Sequence, residues 1–295
     1  MIEEHNPTAE HTPAPHELEW AAFERQWVDP VRPDSDLVTF HTYRQPSRRT
    51  APGAEGSYLL YLPPHYDTDP ERRFPVVYWL HGGRESSCSA LGVVERIDEA
   101  IRARQMPPVI LVSVQALPIG WYLDSKDGER PIERTVIDDL IPHVDATYRT
   151  IADRSGRTIE GFSMGGYGTF RFGLKYPGLF GRISGIAPAI LRTIGEEPAQ
   201  RTKRTFFDDA DYYRAVSPWT LLMANAPELR HRGTRIRILA GAEDHRLRRT
   251  ILDFRDQIEQ AGLAVEYAEV PAVAHDHLRI IDGVGEAYPA FWATP

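Results

Sequence analysis

The stretch Gly161-Phe162-Ser163-Met164-Gly165 constrains the fold of this chain more than any other. A serine with glycine two residues before and two after can sit on a sharp, strained turn between a strand and a helix. Neither glycine carries a side chain that would collide there. Such a turn lifts the Ser163 hydroxyl clear of the backbone and sets it at the positive end of the following helix. It also turns the Met164 amide toward any developing oxyanion. The bland alternative is a glycine-rich turn that contains a serine by chance, so the flanks must supply a strand, a helix and partners for the hydroxyl.

The flanks have that character. Phe74-Pro75-Val76-Val77-Tyr78-Trp79-Leu80 is a nearly continuous apolar run, as expected for a strand covered on both faces, and it leads straight into His81-Gly82-Gly83. Further strands are expected at 38–43 and 57–62 (an antiparallel opening pair), 109–114, 158–159, 183–187, 235–240 and 264–270. Helical periodicity is expected over about 93–104, 132–148, the segment after Ser163 up to Tyr176, and 250–260. Strands alternating with helices at this spacing predict an α/β fold with a mostly parallel central sheet and helices on both faces. The stretch from Ile190 to Arg235 is irregular and mixed, and reads as a short cap-like insertion over about 190–234.

With 295 residues, 42% of them hydrophobic, one large catalytic domain over 37–295 is expected. Residues 1–36 stand apart. They hold nine acids against Arg25 and Arg32, so most of the net charge of −8 belongs to this extension. Its first 16 residues are polar and proline-bearing, the composition of a flexible tail. After them, Trp20, Phe23 and Trp27 fall on one face of a short amphipathic helix that covers its own domain, forms an interface in a homo-oligomer, or acts as a lid over the site at Ser163. The acidic balance argues against nucleic acid as a partner. No run has the length of a membrane span and the first residues lack a secretory signal, so a cytoplasmic location and no membrane partner are expected. Cys88 is the only cysteine, which leaves no intrachain disulfide and no cysteine-based metal cluster.

In such a sheet, reactive groups gather beyond the carboxyl ends of the strands. Ser163, Asp244 and His275 each follow a predicted strand, in the chain order serine, acid, histidine. Neutral serine is a poor nucleophile. A histidine that takes its proton and returns it to the leaving group, and an acid that fixes the imidazole tautomer, would supply what it lacks. Glu243 is the rival for the acid and His277 for the histidine. Asp244 is preferred by its place in the turn, and His275 because it lies nearest the strand end, whereas His277 begins an apparent helix. A metal site from His275, His277, Asp244 and His245 is set aside, because a lone H-x-H pair is common and a serine triad accounts for the same residues. No cofactor is expected. His81-Gly82-Gly83 allows close backbone approach, so the Gly83 amide can join that of Met164 in an oxyanion hole, with the His81 ring bracing the loop.

These residues together resemble the esterase D and feruloyl-esterase-like branch of the α/β-hydrolases, a group that also includes enterochelin esterases and mycolyltransferases. The resemblance is carried by Tyr61-Leu62-Pro63-Pro64 with Tyr66, Val77 to Gly83, Trp121-Tyr122 with Asp124, Gly161 to Gly168, Lys175-Tyr176-Pro177 with Phe180, Ser217-Pro218 and Ala274-His275-Asp276. It covers about Phe40 to Trp292. It implies an α/β-hydrolase fold, and a serine esterase acting on a small-molecule ester through Ser163, the acid after Gly241 and the histidine before Asp276. Many relatives have Gly-Gly before that histidine and Trp where this chain has His277. Acyl transfer and thioester hydrolysis use the same triad, and a non-catalytic binding protein on the same fold is a reading of another class. Trp121, Tyr122, Phe162 and Arg84 are expected to line the substrate pocket, and Arg246, Arg248 and Arg249 could favour an anionic substrate. Glu160, at the end of the strand before Ser163, needs a buried donor that the sequence does not name.

Overall fold

The structure is a computed structural model, and it describes residues 22–23 and 25–293. The flexible tail expected over 1–16, Trp20 and most of the predicted N-terminal helix lie outside the described residues. Ala22 and Phe23 are helical, but 25–27 form turns, so Trp27 does not continue a helical stripe. Trp27 is instead buried against the core, with the Arg48 guanidinium 4.3 Å above its ring.

Eight strands form one sheet in the order β1-β2-β4-β3-β5-β6-β7-β8: β1 (Thr39–Arg44), β2 (Glu55–Tyr61), β3 (Val76–Leu80), β4 (Ile110–Val114), β5 (Arg157–Phe162), β6 (Arg182–Ile186), β7 (Arg235–Gly241) and β8 (Glu266–Val270). β1 and β2 are antiparallel additions at one edge, and β3 to β8 are mutually parallel. Each strand overlaps a run that predicts it, but β5 is six residues long where only 158–159 were expected. The continuous run of β3 has a direct cause: Val76, Tyr78 and Leu80 pack into one core layer, and Val77 and Trp79 into the other.

The first layer is covered by α2 (Ile132–Arg134), which passes through a π-helical stretch (Thr135–Leu140) into α3 (Ile141–Thr147), and by α4 (Met164–Lys175), α7 (Pro218–His231) and α8 (Arg248–Gln260). The second is covered by α1 (Leu91–Arg102), α9 (His277–Val284) and α10 (Ala287–Ala293). The connection from β6 to β7, expected to be irregular, contains α5 (Ala199–Phe206), α6 (Ala210–Val216) and α7. α7 packs on α4, so the end of this connection is a crossover helix of the main fold. α5 and α6 escape detection in sequence because each is only two turns long.

Strand order reverses around β3. Its chain neighbour β4 lies on one side and β5 on the other, so the loops after β3 and β5 meet at the carboxyl edge of the sheet. Among the described residues, no helix is long and apolar enough to cross a membrane.

Candidate active site

Ser163 occupies the junction of β5 and α4 with φ 55° and ψ −115°, a conformation that L-residues rarely adopt. The surroundings over-determine it. The Ser163 amide donates to the Ile186 carbonyl at 3.0 Å, and its own carbonyl accepts from Tyr167 (3.0 Å) and Ala189 (2.9 Å). The two flanking glycines are required by contact. A Cβ on Gly161 would lie 2.6 Å from the Gly165 carbonyl oxygen, and one on Gly165 would collide with the Leu80 carbonyl.

The imidazole of His275 spans the gap between hydroxyl and acid. Its Nε2 is 2.8 Å from Ser163 Oγ and its Nδ1 is 2.5 Å from Asp244 Oδ2. Asp244 is buried. Burial pushes its carboxyl up, but the hydrogen bond and charge of His275, the Leu247 amide and Arg246 outweigh that and hold it below the usual carboxylate value. The loops carrying the two residues are tied directly, because the Glu243 amide donates to the Val273 carbonyl at 2.8 Å. The rivals lie elsewhere. The Glu243 carboxylate is exposed and 3.2 Å from His245. His277 Nε2 donates to the Ser89 carbonyl at 3.3 Å, its ring is 4.8 Å from Phe162, and burial lowers its pKa. Asp276, between the two histidines, caps α9 by accepting from the Arg279 amide at 3.1 Å.

Gly83 lies beside the first turn of α4: a Cβ on it would sit 3.8 Å from Met164 Cβ. Among the described residues, neither the Gly83 nor the Met164 amide donates to a protein acceptor. The loop that carries Gly83 is held from several sides. The Gly82 amide donates to Glu85 Oε2 at 2.8 Å and the Arg84 amide to the Pro118 carbonyl at 2.6 Å. His81 is fully buried, with Nδ1 2.8 Å from the Gly82 carbonyl and Nε2 3.3 Å from the Ala116 amide. Nε2 also lies 3.2 Å from the Ala116 carbonyl, and burial lowers the pKa of the ring.

Ser163 and His275 open onto a cleft of about 580 Å³. Three of the four expected lining residues are there: Trp121, Phe162 and Arg84. Phe162 forms the floor under His275, with ring centroids 4.6 Å apart. Tyr122 is a correction. It is fully buried, its hydroxyl donates to the His81 carbonyl at 3.1 Å, and its ring packs on Phe172. Trp121 and Tyr122 both have positive φ, 55° and 52°, so the chain turns sharply between them and only Trp121 reaches the cleft. Of the three arginines after Asp244, Arg246 lines the cleft. Arg248 forms a two-bond pair with Glu269 instead, at 2.8 and 3.0 Å, and Arg249 lies on an adjoining depression. Sequence reasoning missed Glu197 and Arg201, which enter the wall from the β6–β7 connection. No local spacing links them to the loops that carry Ser163, Asp244 and His275. The donors to Glu160 are also long-range: Arg237, Ser184 and Tyr288.

The family described as "Putative esterase" matches residues 50–276. Esterase Rv1288 of Mycobacterium tuberculosis is 35% identical over 135 residues, 44% of this chain and 29% of that protein. An endo-1,4-beta-xylanase/feruloyl esterase of Xylanibacter ruminicola is 32% identical over 132 residues, 41% of this chain and 18% of that protein. This chain thus spans less than a third of the length of these curated relatives. Among solved structures, a ferulic acid esterase superposes with a TM-score of 0.72 at 21% identity, covering 86% of this chain and 96% of its own. An S-formylglutathione hydrolase from Agrobacterium tumefaciens superposes with a TM-score of 0.68 at 16% identity, covering 90% and 99%. These likenesses show a shared α/β-hydrolase fold. Because the family match takes in the β3 loop, the serine turn and both loops that meet at it, the chain belongs to the Putative esterase family.

Proposed function

We propose that this chain is a carboxylic ester hydrolase that works through an acyl-Ser163 intermediate. The observation that carries the reading is the continuous line from Ser163 Oγ through the His275 ring to Asp244, at 2.8 and 2.5 Å. It starts from a turn held at φ 55° and ψ −115°, the kind of strain that clusters at functional sites. His275 Nε2 takes the Ser163 proton as Oγ attacks the ester carbonyl carbon. The resulting oxyanion is held by the amides of Gly83 and Met164. Collapse breaks the bond to the alcohol oxygen, which receives the proton from His275. Water then attacks the acyl-serine with His275 as base, the bond to Ser163 Oγ breaks as His275 returns the proton to Oγ, and the acid departs. Asp244 accepts from Nδ1–H throughout and stabilises the imidazolium. A loop braced as firmly as His81 to Glu85 needs little reorganisation when charge develops, the condition under which such amides act best.

The test is hydrolysis of short p-nitrophenyl esters together with labelling by a serine-directed phosphonate. A protein that does neither is not an ester hydrolase of this kind. The acid is tested separately. Asp244→Asn is expected to lower kcat by up to about 10⁴-fold, because an amide donates where the Nδ1–H must be accepted and so favours the wrong tautomer. Glu243→Gln, at an exposed position, is expected to stay within about twofold of wild type. The reverse order of effects would reassign the acid to Glu243.

A further inference from the structure

The charged residues on the cleft wall are not equivalent. Glu85 uses an oxygen on the Gly82 amide, and Glu196 accepts from the amides of Arg192 (3.0 Å) and Thr193 (3.3 Å). Glu197 has a different role. Its side chain is only 2% exposed, and its two oxygens meet two guanidinium groups, Oε2 that of Arg201 at 3.3 Å and Oε1 that of Arg246. Arg201 and Arg246 are themselves 42% and 45% exposed, and both face the cleft that holds Ser163 and His275. One buried carboxylate therefore pins two partly exposed cations, and the trio carries a net charge of +1.

The arrangement is fixed from both ends. Arg201 sits on α5, where its carbonyl accepts from Trp121 Nε1 at 2.7 Å, and Arg246 lies two residues after Asp244. Each guanidinium gives Glu197 only an Nη1 donor. Among the described residues, Nε and Nη2 of both arginines make no other protein hydrogen bond. Withdrawing a carboxylate from water to hold two arginines gains little for folding, since an apolar contact of the same size is often as stable. It does preorganise planar donors beside the reacting serine, and such donors match a carboxylate better than any neutral group.

We infer that the cleft selects esters that carry a carboxylate away from the reacting carbonyl, held by Arg201 and Arg246. This rests on the ester-hydrolase reading above and names its substrate class.

Two size-matched pairs test it. One is the acetyl ester of para-hydroxybenzoate against that of para-hydroxybenzamide, with the charge on the leaving group. The other is the phenyl monoester of terephthalate against its terephthalamate counterpart, with the charge on the acyl group. In at least one pair, kcat/KM for the carboxylate is expected to exceed that for the amide by about tenfold, through KM. The ratio should shrink as salt rises from ~20 to ~500 mM. In the Arg201→Gln/Arg246→Gln variant the ratio is expected to fall to near one. A ratio near one in both wild-type pairs, or a preference that survives in the double variant, overturns the inference. Should that variant not fold, calorimetric titration of wild type with benzoate and benzamide decides: benzoate binding no tighter than benzamide overturns it. If none of the four esters is turned over, the calorimetry judges the arginine site, and the ester-hydrolase reading falls only if short p-nitrophenyl esters also go unhydrolysed and the phosphonate does not label.

Discussion

Replacing Ser163 with alanine is expected to lower hydrolysis of p-nitrophenyl acetate by more than about 10⁴-fold and to abolish phosphonate labelling. Without Oγ no acyl-enzyme can form, and the Gly83 and Met164 amides retain only the modest acceleration available to direct attack by water. Stability should hold. The hydrogen bonds that fix this turn come from the Ser163 main chain, and alanine carries the same Cβ at φ 55°, so the strain is neither added nor relieved. Ser163→Gly is the informative companion. It should be equally inactive yet more stable by about 1–3 kcal/mol, since glycine tolerates the conformation that serine is forced into. Turnover by Ser163→Ala within about tenfold of wild type would move the nucleophile elsewhere.

How far the site could be read from sequence depended on whether its parts are local. The serine turn is local. Gly161 and Gly165 are needed because the chain passes itself at Leu80, and that requirement survives as a five-residue pattern. A parallel sheet delivers its strand ends to one edge, which made His275 and Asp244 candidates, but position after a strand left Glu243 and His277 as rivals that only the folded loops separate. Tyr122 was misplaced because two consecutive positive φ values leave no mark in a Trp-Tyr pair. Glu197 and Arg246 are 49 residues apart, and their pairing depends on how the β6–β7 connection folds back over the cleft. β5 was only partly legible because it carries Arg157 and Glu160, both buried. Charges in a central strand contradict the apolar pattern until their partners are known, Asp145 on α3 for Arg157 and Arg237 and Ser184 on other strands for Glu160.

Those partners make the second large expected effect. Glu160 on β5, Ser184 on β6 and Arg237 on β7 lie in one row across three neighbouring strands. Arg237 Nη2 and Ser184 Oγ each donate to Glu160 Oε1 at 2.7 Å, and the Tyr288 hydroxyl donates to Oε2 at 2.8 Å. The guanidinium also donates to Ser184 Oγ (2.9 Å) and the Tyr288 carbonyl (2.8 Å), under the rings of Tyr288, Phe291 and Trp292. Arg237→Ala would leave a fully buried carboxylate without its counter-ion and is expected to destabilise the fold by about 3–5 kcal/mol in urea unfolding. Glu160→Met alone should cost a comparable amount, by stranding the guanidinium. If the pair matters chiefly as a pair, the double variant Glu160→Met/Arg237→Met should lose clearly less than the sum of the singles, because apolar side chains of similar volume avoid both desolvation penalties. Additive losses would mean instead that Ser184, Tyr288 and the α10 aromatics hold each charge independently. The row lies three residues before Ser163, on the strand that sets the angle of the turn. A double variant that recovers stability yet loses esterase activity would show that the charges serve to position the nucleophile rather than to hold the sheet together.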